Sequence, residues 1–423
     1  GTVALLNSDS SLESCSSSRG QSMDAGRYAS LTMLALLFGS TTQAAAVRTA
    51  RVGTARSRCL CRLAALKEPT PDEPPVAADY HVPVMLRETL DWLVTDPAGV
   101  YVDGTMGGGG HTSALLEMLA PAGGVVVGVD RDQEALEQTG KRLRAFVDGG
   151  RLRPVHTSFR YLHSTLALLD LPALDEQQGL SGIMLDLGVS SHQIDADYRG
   201  FSFRHDGDLD MRMDATSDGM TARDFLNTCE PADLVRVLKD YGEEKYARPI
   251  ARAIIAARPL DTTSQLVTAI ESETPEPMRT KTMARVFQAL RILVNDELGE
   301  LEAILLDAAN LVKPGGRIAI LSYHSLEDRR AKNVMRSGNL NGRMVQDEMG
   351  NVLSHWRPLT RKPVVATDEE VGLNRRSRSA KLRVAERTDF EVVPWKNSIA
   401  PTEPRKRAAL WVGGAKRQGR ARG

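Results

Sequence analysis

The stretch Val100-Tyr-Val-Asp-Gly-Thr-Met-Gly-Gly-Gly-Gly-His111 decides the fold class. A short apolar run ends in the carboxylate of Asp103, five glycines follow between Gly104 and Gly110, and helical spacing begins at His111. That order describes a buried strand turning through a glycine loop into a helix, at an edge suited to ligand binding. Glycines there permit positive φ and let the backbone approach a ligand closely. A second run, Val125 to Val129, ends at Asp130, 20 residues after Gly110. An acid so placed bonds a ribose hydroxyl in nucleotide-binding folds.

The alternation continues outward in both directions. Val84–Leu93 and Gln133 to about Phe146 have helical spacing, Leu152–His156 reads as a third strand, and Ile183–Leu187 as a fourth with Asp186 near its end. Strands separated by helices predict an α/β protein with a parallel, doubly wound, Rossmann-like sheet and ligands at the carboxyl ends of its strands. After Asp214 the strand pattern stops. Ala222–Leu226, Ala232–Tyr241, Tyr246–Ala257, Ser264–Ile270 and a long segment through Val286–Leu311 read as helix after helix. Lys313-Pro-Gly-Gly then turns into a strand over Arg317–Leu321. The predicted organisation is a leader with a proline-rich linker (1–78), a sheet domain in two parts (79–215 and 301–390), an inserted all-helical substrate domain (216–300) and a basic tail (391–423).

Composition narrows the chemistry. The chain has 54 basic and 54 acidic residues, so net charge says nothing of partners, but their distribution does. From Asn374 to the end, 14 basic residues face 4 acidic ones. A basic end on a neutral protein points to a polyanionic partner or to a solvated disordered segment. Cys15, Cys59, Cys61 and Cys229 form no CxxC pair and the histidines no HxxxH spacing, so no metal site is expected. No segment has the length and apolarity of a membrane span. A dinucleotide fingerprint is also missing, because Ser113 stands where GxGxxG needs its third glycine. A looser D-x-x-x-G loop favours S-adenosylmethionine, which has no pyrophosphate to cradle. The run Asp206-Gly-Asp-Leu-Asp210 is not a calcium loop, since Met211 and Ser217 occupy the places of the obligatory Gly and Glu.

The leader reads as two signals in series. Met23 is a plausible start, Leu31 to Phe38 is a short apolar core, and Thr-Thr-Gln-Ala-Ala-Ala46 is a small-residue cleavage site. An acid-free segment carrying Arg48, Arg51, Arg56, Arg58 and Arg62 follows, which is transit-peptide composition. Signal followed by transit resembles the bipartite leaders of plastid proteins in algae with complex plastids; the alternative is a plain mitochondrial presequence.

Further blocks carry a family resemblance. They are His81-Val-Pro-Val-Met-Leu, Asp103 to Thr112, Asp186-Leu-Gly-Val-Ser-Ser-His-Gln-Ile-Asp195, Arg199-Gly-Phe-Ser-Phe and Asp208 to Asp214. In the second half come Arg285-Val-Phe-Gln-Ala-Leu-Arg-Ile, Ser322-Tyr-His-Ser-Leu-Glu-Asp-Arg329 and Arg375 to Arg383. In this order over residues 80–385 the chain closely resembles the bacterial and organellar small-subunit rRNA cytosine-N4 methyltransferases (MraW, also called RsmH). The resemblance implies a class I methyltransferase sheet and methyl transfer from S-adenosylmethionine to a cytidine N4 in the decoding region. Its partner would be small-subunit rRNA or the assembling subunit. By carry-over the cofactor residues are Gly109, Gly110, His111, Asp130, Phe159, Asp186 and Gln193. One departure is His192, where the Ser-Ser-Pro-Gln form of the motif has proline.

For catalysis, Asp186 either orients the reaction or contacts only the cofactor. Tyr323 is expected to stack on the target base and His324 to handle a proton or a phosphate, each with a rim or helix-cap role as the alternative. Arg248, Arg252, Arg258, Arg279, Lys281 and Arg285 are phosphate candidates on the helical segment, and an Arg/Asp loop around Asp206–Asp214 is expected over the active site. Two competing functions stand beside this one: methylation of another organellar RNA, and a catalytically silent ribosome-assembly factor. The leader yields a direct expectation. Residues 23–46 fused to a reporter should enter the secretory route, and residues 23–78 should reach the plastid; mitochondrial import of the longer fusion would overturn the two-signal reading.

Overall fold

The computed structural model describes residues 83–390, apart from 172–173, 175–178 and the side chains of 191 and 192. The leader, His81 and Val82 of the first family block, and the basic tail lie outside the described residues. Seven strands form one sheet in the order β3-β2-β1-β4-β5-β7-β6. They are β1 (Val100–Asp103), β2 (Val125–Asp130), β3 (Leu152–His156), β4 (Leu180–Asp186), β5 (Val312–Ser322), β6 (Trp356–Pro358) and β7 (Lys381–Arg387). Pairing from β3 through β5 is parallel, whereas β7 runs antiparallel to both β5 and β6. The sheet is therefore mixed, not wholly parallel as expected. The order reverses between β1 and β4, the switch point where crevices open in such sheets.

Helices α1 (Leu86–Leu93), α2 (Gly110–Leu119), α3 (Gln133–Arg142), α4 (Arg144–Asp148), α5 (Leu162–Leu166) and α6 (Ser191–Asp195) accompany the first four strands. Strand alternation places Val100, Val102, Ile183 and Leu185 on one face, against Leu301, Ile304 and Leu305. Tyr101, Val126 and Met184 face the other way, against Leu90, Leu93, Leu115 and Leu119. Fully removing each such aliphatic side chain from water stabilises the fold by about 1.5–3 kcal/mol.

Between β4 and β5 stand α7 (Ala222–Thr228), α8 (Pro231–Asp240), α9 (Ala247–Ala256), α10 (Thr263–Ser272), α11 (Arg279–Asn295) and α12 (Glu297–Leu311). The helices from α7 to α11 close on a core of their own, built from Phe225, Leu234, Ile250, Ile254, Leu266, Val286 and Leu290 among others. Leu209 and Met211 of the preceding loop join that core. After β5 come α13 (Ser325–Ser337) and α14 (Asp368–Leu373).

Two expected helices are broken. The segment from Gln133 divides at Leu143, and the long run through Val286–Leu311 divides at Asp296, whose φ of 48° is left-handed. Asp and Asn are the non-glycine residues that visit this region most readily. The break is held from several sides. Arg160 bonds Asp296 and lies 3.3 Å from Glu300. Asn295 accepts from Met213 N at 2.7 Å and donates to the carbonyls of Met211 (2.7 Å) and Arg291 (2.9 Å). The Lys313-Pro-Gly-Gly turn is a bulge within β5, where the register on β4 jumps and Gly315 takes φ 80°.

Asn295 is buried, so its replacement leaves two loop backbone groups without partners. Asn295→Leu should therefore destabilise the protein by about 2–4 kcal/mol. Chemical denaturation checks this, and a loss below about 0.5 kcal/mol would mean that the 211–213 loop finds other partners.

Candidate functional site

Strands β1, β2 and β4 all deliver a carboxylate to the same edge of the sheet: Asp103, Asp130 and Asp186. The β1–α2 loop is shaped around them. Asp103 accepts from Thr112 Oγ1 at 2.6 Å and from Thr105 N at 3.1 Å. Burial pushes its carboxyl up to about 6, against the bond from Thr112. Asp130 accepts from Gly107 N at 2.6 Å and from Asp132 N at 2.9 Å. Burial still holds Asp130 above the usual carboxylate range, with those N–H groups opposing. Thr105 joins the strands directly, its Oγ1 accepting from Asp186 N at 2.7 Å.

Gly107 (φ 45°) and Gly109 (φ 69°) are both left-handed, but they do different things. A Cβ on Gly109 would collide with Thr139 Cγ2, and one on Gly110 with Pro83, so both are required by packing against α3 and the segment before α1. A Cβ on Gly107 would have nothing nearer than 3.8 Å, its neighbours being Ser190, Thr105 and Asp130. Gly107 is thus a loop position where glycine is set by the left-handed φ and not by a clash, beside Asp130 at the switch point.

Asp186 is the centre of the edge. Its Oδ1 accepts from the Tyr323 hydroxyl at 2.7 Å, and its Oδ2 lies 3.7 Å from His111 Nδ1. Burial pushes Asp186 up to about 7, opposed by the Tyr323 bond and reinforced by the charge of Glu327. Burial, then the Asp186 charge, pushes the Tyr323 phenol up as well. His111 Nε2 bonds the Val84 carbonyl at 3.1 Å. A carbonyl can only accept, so Nε2 carries the proton, and burial depresses the imidazole pKa. A neutral ring then turns its Nδ1 lone pair toward Asp186.

The other expected residues are distributed as follows. Phe159 opens a 3-10 turn after β3 and packs beside Leu185 and Gly104, at the outer flank of the same edge. Gln193 is fully engaged: its Oε1 accepts from Ser190 N at 3.1 Å and its Nε2 donates to Asp132 Oδ2 at 2.8 Å. Tyr323 sits on Asp186 with its ring beside Gly188, rather than free over the rim. His324 caps α13, with Nε2 3.1 Å from Glu327 Oε1, and does not join the Asp186 cluster. Burial raises Glu327, but His324, the Arg291 charge and the Tyr323 N–H together outweigh it and hold the carboxyl low. Glu297, His324 and Glu327 approach within 4.8 Å of one another. Glu297 is nonetheless held by Arg291 through two bonds, 2.7 and 2.9 Å, and Glu327 accepts from Tyr323 N and His324 N, which makes the group an ion-pair and capping network.

Sequence patterning does not disclose Asp132 or Arg199. Asp132 caps α3 and binds both Gln193 and the buried Arg199, whose Nη2 donates to Asp132 Oδ2 at 3.0 Å and to Met213 O at 2.7 Å. This ties the 196–214 loop to the turn after β2; Arg212, by contrast, pairs within the loop with Asp210. Among the six phosphate candidates, Arg258 serves the carbonyls of Leu226 and Cys229, Arg285 lies 3.5 Å from Glu244, and Arg279 donates to Thr274 O. Arg248, Arg252 and Lys281 are exposed.

The raised Asp186 carboxyl has a stability signature. Its folded pKa of about 7 lies above the unfolded value, so its contribution is full below about pH 4 and is lost as pH rises through 7. Asp186→Asn keeps the acceptor for Tyr323 but removes the buried charge. The variant should match the parent near pH 4 and exceed it at pH 8, on the order of 2 kcal/mol after allowance for partial exposure. Urea titrations at the two pH values test this; a pH-independent difference would place the charge in water.

Comparison with known proteins follows the same boundaries. The model of the MraW methylase family matches residues 78–388. The chain is 44% identical over 317 residues to the ribosomal RNA small subunit methyltransferase H of Geotalea uraniireducens (strain Rf4), covering 73% of this chain and 98% of that protein. It is 42% identical over 311 residues to the protein of the same name from Bacteroides fragilis (strain YCH46), covering 73% and 97%. The strand-end carboxylates, the glycine loop and the Tyr323 segment all fall inside the matched region, and the chain belongs to the MraW methylase family.

Proposed function

We propose that the chain methylates the exocyclic N4 of a cytidine in the decoding region of an organelle's small-subunit rRNA. The family's methyl donor is S-adenosylmethionine, which supplies an electrophilic methyl group when bound. The switch-point edge suits such a donor: Asp130 ends β2 with a rigidly held carboxylate for ribose hydroxyls, and Gly107 sets side-chain-free backbone beside it. The rRNA target is supported by the named relatives.

The single observation that carries the N4 reading is Asp186, a carboxylate pushed up to about 7 and oriented by Tyr323. Cytosine N4 is a poor nucleophile because its lone pair is delocalised into the ring. A carboxylate that accepts one N4–H bond localises electron density on nitrogen and takes the proton released when the new N–C bond forms. A pKa near the working pH suits that exchange, because the acceptor is ionised yet basic. Tyr323 fixes the carboxylate through Oδ1 and leaves Oδ2 for the base. Alignment of nitrogen with the methyl carbon supplies much of the remaining rate.

We further assign the organelle as a plastid, on the two-signal composition of the leader. Among the described residues no helix is long and apolar enough to cross a membrane.

Mass spectrometry of digested small-subunit rRNA incubated with the protein and labelled donor should show N4-methylcytidine in a decoding-region fragment. Asp186→Asn should lower kcat by about 10²–10⁴-fold. In the parent enzyme kcat/KM should rise with pH to a plateau above about 7, because Asp186 accepts only when ionised, and the variant should lose that rise. A methyl group on another atom would overturn the N4 assignment, and an unchanged pH profile would remove Asp186 from the proton transfer.

A further inference from the structure

We propose that the 3-10 turn Arg375–Ser379 is a phosphate clamp for the single-stranded RNA flanking the target nucleotide, with Arg375, Arg376 and Arg378 as its cations. The inference rests on the RNA reading above and adds the element that grips the substrate beside the reacting edge.

The position of the turn is fixed on three sides. Directly after it, Ala380 is buried in the core against which Tyr323 packs, and Lys381 pairs in register with Ser322 at the end of β5. The turn therefore stands on the rim that carries Tyr323 and Asp186. Arg376 Nη2 reaches Asp195 at the end of α6, 3.5 Å away, on the side of the loop that follows β4. Before the turn, Glu370 of α14 accepts from Met85 N at 2.6 Å, which anchors the segment to the start of α1. The turn itself is stiff. Asn374 Oδ1 accepts from Arg376 N at 3.1 Å, and the buried Ser377 donates its hydroxyl to Asn374 O at 2.7 Å.

The charges in this block divide into committed and available ones. Arg383 and Lys381 both face Asp328, at 2.6 and 3.7 Å. Arg375 and Arg378 are exposed, and among the described residues neither pairs with an acid. The acids of α14, Asp368, Glu369 and Glu370, lie in its first turn, at the opposite end of that helix from Arg375. Arg376 is the half-buried member of the three arginines, with its Nη2 toward Asp195 and its Nη1 without a hydrogen-bond partner. The exposed guanidinium groups of Arg375 and Arg378 have N–H donors free to meet phosphate oxygens in charge-assisted bonds. Single-stranded RNA is the form that fits, because N4 lies on the pairing edge of cytosine and the base must be unpaired to reach Asp186.

The test uses the full chain and a fluorescein-labelled single-stranded oligoribonucleotide with the decoding-region sequence, followed by anisotropy over a KCl series. The double variant Arg375→Gln/Arg378→Gln should bind about tenfold more weakly at 0.1 M salt, and its slope of log affinity against log salt should flatten by about 1.4, at roughly 0.7 per lost contact. Arg375→Lys/Arg378→Lys should keep most of the slope. Adenosylhomocysteine affinity, measured by calorimetry, should stay within twofold in both variants and in Arg376→Gln. An unchanged slope overturns the clamp. A loss of adenosylhomocysteine affinity with RNA binding intact also overturns it, and would give the arginines to the donor's carboxylate. The slopes do not depend on which atom is methylated, so a wild-type enzyme that modifies another position defeats the N4 reading while the salt series still decides the clamp.

Discussion

Three carboxylates gathered at one edge of the sheet, Asp103 buried and Asp130 and Asp186 partly so, are the constraint on which the rest of the site depends. An unpaired buried carboxylate is prohibitive, so each must be met by donors that the chain itself supplies. Asp103 is met by Thr105 N and Thr112, Asp130 by the amides of Gly107 and Asp132, and Asp186 by Tyr323. The conformation of the glycine loop follows from this. It must turn one amide onto Asp130 while Thr105 bridges Asp103 and Asp186, and only left-handed backbone at Gly107 and Gly109 takes the chain from there into α2. Incomplete compensation keeps Asp103 and Asp186 basic, which is a cost to the fold and an asset for proton transfer.

Much of this was legible in the sequence because it is local. An apolar run ending in an acid marks β1, β2 and β4, and their buried residues alternate between the two faces of the sheet. The glycine loop announces its own turn. What stayed hidden depends on distant partners or on weak patterns. The antiparallel strands β6 and β7 are short or charged, and Lys381-Leu-Arg-Val-Ala-Glu-Arg387 reads as a basic block before it reads as a strand. The break at Asp296 is invisible because helical spacing is good on both sides of it. Gly109 and Gly110 look like ligand contacts by motif, yet Thr139 and Pro83 are what exclude a side chain there. Gln193 likewise anchors a loop onto Asp132, a partner no spacing rule could name.

The same distant contacts join the two halves of the molecule. Asp132 binds Arg199, Arg199 binds the Met213 carbonyl, and Met213 N bonds Asn295 at the break between α11 and α12. Arg131, next to the β2 carboxylate, donates to the Asn295 carbonyl at 3.0 Å. A continuous chain of buried polar groups thus runs from the Asp130 turn to the helices inserted after β4. Displacing those helices would disturb Asp132 first, and through its amide the carboxylate of Asp130.

The insertion between β4 and β5 also bears on how the chain reaches its native state. These two strands are sheet neighbours, yet all of α7 to α12 lies between them in sequence. Closing so long a segment as open chain is entropically expensive, and pairings of high sequence separation are slow to form. The inserted helices shorten the search, because their own core can condense from nearby residues and draw α12, and with it β5, back toward β4. Synthesis from the N-terminus leaves β4, with Ile183, Met184 and Leu185, as an exposed edge until that condensation is complete. The inserted helices then act as an internal folding aid, shortening the time for which the β4 edge stands unpaired.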